Sequence, residues 1–165
     1  MAMDMAIVKE EIKTFLEKEG IVAMRASAMG FYERLLGLSG FGLGGILYMS
    51  GKKSGRDGGM ELKGLAQKLG ISTEDTIREA LPVMFTETRW GELNVDSMTE
   101  NEIIFSLKDS VLARGLKRKK PSCTPIAGAL AGIVEVLLDK KADGKEIECV
   151  SQGKEKCIFE IKIKQ

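Results

Sequence analysis

Three cysteines, Cys123, Cys149 and Cys157, lie in the last third of a chain of 165 residues that contains no histidine. Thiolates are soft metal ligands, and without imidazole a site built on them must be completed by a carboxylate, a backbone oxygen or water. The alternatives are three buried thiols acting as small apolar side chains, or a cross-strand disulfide between Cys149 and Cys157. An odd number of cysteines, with no Cys-x-x-Cys spacing, disfavours a closed disulfide framework and suits a reducing compartment.

The elements that must position these thiols can be read around them. Thr124 is a good helix cap and Pro125 a good first helical residue, so a helix starts directly after Cys123 and runs to about residue 140. Ile126, Leu130, Ile133, Val134, Leu137 and Leu138 mark its buried stripe, while Gly128, Gly132 and Glu135 share a narrow face open to the approach of a neighbouring helix. Asp143 and Gly144 read as a turn into a strand over residues 145–151. Residues 152–154 turn the chain back into a last strand, in which Cys157, Phe159, Ile161 and Ile163 alternate with Glu160, Lys162 and Lys164. A three-residue turn centred on Gly153 would set Cys149 opposite Cys157, with Cβ atoms roughly 4.5–5.5 Å apart, close enough for two thiolates to share one tetrahedral ion. Cys123, at the helix mouth, would be the third.

Upstream, Met5, Val8, Ile12, Phe15 and Leu16 recur at helical spacing before Gly20, and a second helix spans about residues 22–36 with Met24, Ala28, Phe31, Tyr32 and Leu35 on one stripe. Nine glycines follow between Gly37 and Gly59. Gly40, Gly42 and Gly45 can be spelled into a dinucleotide fingerprint, but a helix precedes them where that motif needs a strand, and Lys52 is followed by Lys53 where a phosphate loop needs Ser or Thr. The stretch reads instead as a helix around Ile46, Leu47, Tyr48 and Met49 whose glycines admit another backbone or a ligand. Helical patterns over residues 60–69 and after Ser72 or Thr73 follow, the latter interrupted by Pro82. Its acidic surface, Glu74, Asp75 and Glu79, is unsuited to DNA. Residues 90–96 and 102–108 alternate as a β-hairpin. Residues 116–121 then place four positive charges in one loop, read as a solvated loop with a phosphate-binding patch as the alternative.

Composition sets the outer limits. With 25 Lys and Arg against 24 Asp and Glu, the net charge of +1 provides no overall field for nucleic acid or an anionic membrane. No apolar run approaches a membrane span, and the first ten residues lack the features of a signal peptide. The expectation is a single cytoplasmic domain over residues 1–165.

The run through Cys123, Gly128, Gly132 and Glu135, then Glu146, Cys149, Gly153, Cys157 and Phe159, resembles the vinyl-4-reductase-like domain of predicted hydrocarbon-binding proteins and of the sensory regions of phenol- and xylene-responsive activators. The resemblance spans about residues 90–163, with a looser match around Tyr48 and Gly51. It implies an α/β (α+β) fold in which N-terminal helices pack on a four-stranded antiparallel sheet made of two β-hairpins, similar to nitric-oxide sensors and vesicle-transport subunits, with an apolar pocket between them. It also implies a structural zinc ion held by Cys123, Glu146, Cys149 and Cys157. Because Glu146 and Cys149 would face opposite sides of a regular strand, that set requires a bulge or a coiled stretch. Haem is not expected without an axial histidine.

Candidate pocket residues are Tyr48, Phe85, Trp90 and Phe105. Residues 1–40 are expected to serve dimerisation and residues 41–165 ligand binding. The function so implied is a zinc-containing binding protein for a hydrocarbon or aromatic small molecule, acting as sensor or carrier and forming a homodimer. The alternative is a homodimeric assembly protein without a ligand. A reductase activity follows only from the family's name, since no acid–base pair or cofactor motif accompanies it.

Overall fold

The computed structural model describes residues 4–20, 23–38 and 42–164. Helix α1 (Met5–Glu19) is capped by Asp4, whose carboxylate accepts from the Ala6 N–H at 2.9 Å. Helix α2 (Arg25–Gly37) follows; its expected start at Val22 lies outside the described residues. The glycine-rich stretch belongs to one helix of 27 residues, α3 (Leu43–Leu69), which absorbs both segments read from the sequence and ends on Gly70 in the left-handed conformation. Ser72 caps α4 (Thr73–Asp75), which continues through a π-helical turn (Thr76–Ala80) into α5 (Leu81–Glu87). Pro82 has no N–H to donate, and the widened turn before it lets the helix pass through the proline rather than stop.

Four strands, β1 (Glu92–Met98), β2 (Glu102–Lys108), β3 (Ala142–Glu148) and β4 (Cys157–Ile163), form one antiparallel sheet in the order β1-β2-β4-β3. The two expected hairpins are thus joined edge to edge, with Phe105 paired to Phe159 and Leu107 to Cys157. Between them runs α6 (Thr124–Leu138).

Three local expectations are corrected. Asp143 and Gly144 are not a turn but lie within β3, paired to Lys162 and Ile161; the reversal comes earlier, at Asp139 in the left-handed conformation. Glycine is required at position 144 for another reason, because a Cβ there would strike the Ala127 carbonyl of α6. Cys149 is not opposite Cys157, since pairing of β3 with β4 ends at Glu148 and Ile158 and a short 3-10 turn (Val150–Gln152) takes over. The cap of α6 is Cys123 rather than Thr124.

Helix α6 is the spine of the molecule, with β3 and β4 on one side and α3 on the other. The contact with α3 is backbone to backbone. Gly51 and Gly55 of α3 sit against the Pro125 and Ala129 carbonyls, while Gly128 and Gly132 of α6 sit against the backbone of Tyr48, Lys52 and Arg56. At this crossing the buried Lys52 ammonium donates to the Ala142 carbonyl at 2.6 Å and lies 3.0 Å from Glu135 Oε1, and Arg56 donates to Glu135 Oε2 at 2.7 Å. Burial alone would raise the Glu135 carboxyl, but the Ala142 N–H, Lys52 and Arg56 outweigh it and hold it below the ordinary carboxylate range. On its other side α6 shares a continuous core with the sheet, including Ile126, Leu130 and Val134 with Phe105, Phe159 and Ile161. Side chains therefore fill the space in which the pocket between helices and sheet was expected. Among the described residues no helix is long and apolar enough to cross a membrane.

Candidate metal centre and apolar cleft

Cys123, Glu146, Cys149 and Cys157 come together, all buried, with one ligand atom from each lying within 4.8 Å of the others. Three elements deliver them: the cap of α6 brings Cys123, the first residue of β4 brings Cys157, and the end of β3 with the residue after it brings Glu146 and Cys149. The last pair depends on a β-bulge. The register of β3 shifts between Glu146 and Glu148, leaving Ile147 unpaired and 46% exposed, and the extra residue turns Glu146 and Cys149 to the same side.

The geometry suits a tetrahedral ion. Sulfurs bound at about 2.3 Å around such an ion stand about 3.8 Å apart. Here Cys123 Sγ and Cys157 Sγ are 3.8 Å apart, Cys149 Sγ and Cys157 Sγ 3.7 Å, and all three thiols are free. The carboxylate completes the set with one oxygen to spare. Glu146 Oε2 accepts the Cys123 N–H at 2.6 Å, whereas Oε1 is buried with no hydrogen-bond partner. A buried, unpartnered carboxylate oxygen beside three thiols is costly unless a cation takes it up.

The electrostatics agree. Burial first, then the Cys149 sulfur, pushes Glu146 up to about 8, against the Cys123 N–H and Cys157, which pull it down. Hydrogen bonds from Cys123 and Cys157 draw Cys149 far below the ordinary thiol range, helped by the Ser122 and Ser151 hydroxyls. Cys123 is held far above it by its hydrogen bonds to Cys149 and Cys157 and by burial. Cys157 is pulled down by Cys123 but raised, on balance, by Cys149 and burial. Four acidic groups in one dry space cannot all ionise alone, and a bound cation removes that conflict.

An outer ring of polar groups orients the sulfurs. Ser151 donates to Cys149 Sγ at 3.1 Å, Ser122 Oγ lies 3.0 Å from Ser151 Oγ, and Ser110 Oγ lies 3.2 Å from Cys123 Sγ. The Tyr32 hydroxyl donates to the Ser122 carbonyl, tying α2 to the same cluster. None of these four was anticipated from sequence as part of the site, and only Ser122 and Ser151, adjacent to or two residues from a cysteine, carried a hint.

The four candidate aromatics are dispersed. Phe105 is fully buried in the sheet core and Phe85 is buried beside it. The Tyr48 hydroxyl accepts the Gly144 N–H at 2.8 Å, and Trp90, 41% exposed, borders an open groove with Leu16 and Arg89. A more compact apolar space lies elsewhere. A cleft of about 320 Å³ opens between α1 and α3, lined by Ile12, Phe15, Leu62 and Leu65 with Met84 of α5, and the ion pair of Lys68 with Glu11 at 2.6 Å spans its rim. In the sequence these residues are ordinary members of helical core stripes, which no local signal separates from the lining of a cleft.

Comparison with known proteins agrees with this architecture. The phenol-responsive sensory domain of the transcription activator PoxR, solved with phenol, superposes with a TM-score of 0.78 at 20% identity, covering 99% of this chain and 92% of that one. A vinyl-4-reductase family protein from Methanocaldococcus jannaschii gives 0.61 at 24% identity, covering 97% and 94%. A trafficking protein particle complex subunit 3 from Naegleria fowleri, covalently bound to palmitic acid, gives 0.58 at 15% identity, covering 98% and 93%. These likenesses establish the fold. Two uncharacterized proteins of Methanocaldococcus jannaschii are related in sequence. One is 37% identical over 90 residues, 51% of this chain, and the chain spans about half of that relative, 54%. The other is 30% identical over 129 residues, 76% of this chain and 68% of its own length. Residues 103–163, which carry β2, α6, β3, β4 and all four clustered side chains, match the vinyl-4-reductase domain. The chain belongs to the vinyl-4-reductase domain family.

Proposed function

We propose that this protein is a zinc-containing binding module for an apolar or aromatic small molecule, acting as a sensor or carrier in the cytoplasm. Zinc is favoured by three thiols and a carboxylate at tetrahedral spacing in a buried site. In that role it is structural. The four side chains would close its coordination, leaving no position for a substrate, so the ion would hold the mouth of α6 to the end of β3 and the start of β4 rather than catalyse. Three free thiols suit a reducing compartment.

The observation that carries the binding reading is the cleft beneath α1. Its volume of about 320 Å³ falls within the range of small-ligand sites, its floor is apolar, and its rim is charged. PoxR, whose sensory domain has this fold, responds to phenol. Small aromatics such as phenol are therefore expected to raise the melting temperature; at about 100 times Kd the gain corresponds to about 2.7 kcal/mol. Leu65→Trp, which fills the cleft, should abolish the shift. A panel of aromatic and aliphatic compounds that leaves wild type unmoved, or a shift that survives in the filled variant, would rule the cleft out.

The homodimer is supported by α2. Met24, Phe31 and Leu38, seven residues apart, share one face and are 75%, 67% and 68% exposed, while Tyr32 on another face is buried. An exposed apolar stripe of this kind marks an interaction surface. Light scattering should give twice the 18.0 kDa chain mass. Phe31→Asp should halve it with little change in melting temperature, because the side chain is solvent-facing in the single chain. A monomeric wild type, or a Phe31→Asp dimer, would remove α2 from the interface.

A further inference from the structure

We propose that the groove between the basic loop and the turn after Cys149 binds a phosphate group carried by a small molecule. The groove, of about 560 Å³, runs between residues 115–119 and residues 150–153. Lys117, Arg118 and Lys119 line it, and no carboxylate does, although the chain as a whole is nearly neutral.

The pattern of ion pairing isolates these cations. On one side Arg114 is paired with Asp109 at 3.0 Å, and on the other Lys154 is paired with Glu148 at 3.3 Å. Lys117, Arg118 and Lys119, between them, make no ion pair among the described residues. Three adjacent like charges normally spread apart in a mobile loop, yet this loop is pinned. The Arg118 N–H donates to the Ser151 carbonyl at 2.8 Å, and the Gln152 side-chain amide donates to the Lys119 carbonyl at 3.1 Å. The repulsion of fixed like charges is relieved when an anion enters, and Lys and Arg with nearby amide groups are the donors that phosphate uses.

The groove's character narrows the ligand. It contains no aromatic side chain on which bases could stack, which disfavours single-stranded nucleic acid. Leu116 and Val150 are the apolar residues among those lining it, too few to anchor an acyl chain. The same turn carries Ser151, whose hydroxyl donates to Cys149, so this site backs directly onto the thiol cluster while remaining separate from the cleft under α1.

The test uses the full chain as purified, titrated calorimetrically with pyrophosphate at about 50 mM salt to limit screening. One site per chain is expected. The double variant Lys117→Glu with Lys119→Glu should weaken binding more than about ten-fold, since each reversal replaces an attraction by a repulsion at close range. A control with the same charge change elsewhere, Lys53→Glu with Lys140→Glu, should stay within about two-fold of wild type. All these side chains are exposed, and Lys117→Ala provides a milder variant with an intermediate loss. No saturable binding, or equal weakening in both double variants, overturns the proposal. So does binding to phosphatidic-acid vesicles or to single-stranded RNA that pyrophosphate fails to displace.

Discussion

Protein purified under reducing conditions should carry one zinc ion per chain, and stripping it with a chelator should loosen the structure from Cys123 to Cys157 and lower the melting temperature sharply. The four side chains come from the mouth of α6, the bulge of β3, the residue after it and the first residue of β4, so the ion joins segments that β pairing does not secure by itself. Structural zinc binds small peptides with about 10–16 kcal/mol, comparable to the total stability of about 5–15 kcal/mol of an ordinary domain. Because α6 is also anchored by α3, the helices should remain compact while the end of β3 and the 150–156 segment lose protection from hydrogen exchange. Cys149→Ser should reproduce the loss. Glu146→Gln should weaken zinc by about 10–100-fold while leaving the thiols in place, and Ser151→Ala should act in the same direction through Cys149. Elemental analysis without stoichiometric zinc, together with a melting temperature indifferent to chelator, would sink the metal assignment.

The second large effect concerns two glycines on α3 that a sequence treats alike. Replacing glycine by alanine inside an exposed helix normally stabilises it by about 0.5–1 kcal/mol. Gly58→Ala should do so, because a Cβ there meets nothing within 4 Å. Gly55→Ala should instead destabilise by about 3 kcal/mol, because its Cβ would collide with the Ala129 backbone of α6, which cannot rotate away as a side chain could. Denaturant unfolding of the two variants reads the opposite signs directly. If Gly55→Ala stabilised as Gly58→Ala does, the close crossing of α3 and α6 would be wrong. Displacement of α6 also moves Cys123 at its cap, so Gly55→Ala should lower metal affinity as well.

Much of this architecture is legible in local pattern. The alternation from Cys157 to Ile163 and from Glu102 to Lys108 identifies two strands whose alternate side chains are buried, and the stripe from Ile126 to Leu137 identifies the helix they share a core with. The narrow glycine face of α6 and the glycines of the preceding segment both signal close approach, and the structure joins them to each other. What local pattern misjudged were boundaries governed by distant contacts. Asp143 and Gly144 have turn chemistry, but the glycine is there because Ala127 crosses it. Cys149 looks like a strand residue opposite Cys157, but the strand gives way to a 3-10 turn.

The sequence by itself determined the chemistry available: three thiols without histidine, a carboxylate three residues before the second of them, and the strands and helix that carry them. Only the tertiary structure decided that these groups converge. A single unpaired residue, Ile147, reverses the facing of the chain between Glu146 and Cys149, and such a bulge is set by the register of β4 rather than by any residue's own preference. The same holds for the apolar cleft and the basic groove. Both depend on which surfaces are left unfilled when α1 meets α3, and when the loop at Arg118 is tied to Ser151, and such gaps between distant segments leave no trace in the spacing of residues along the chain.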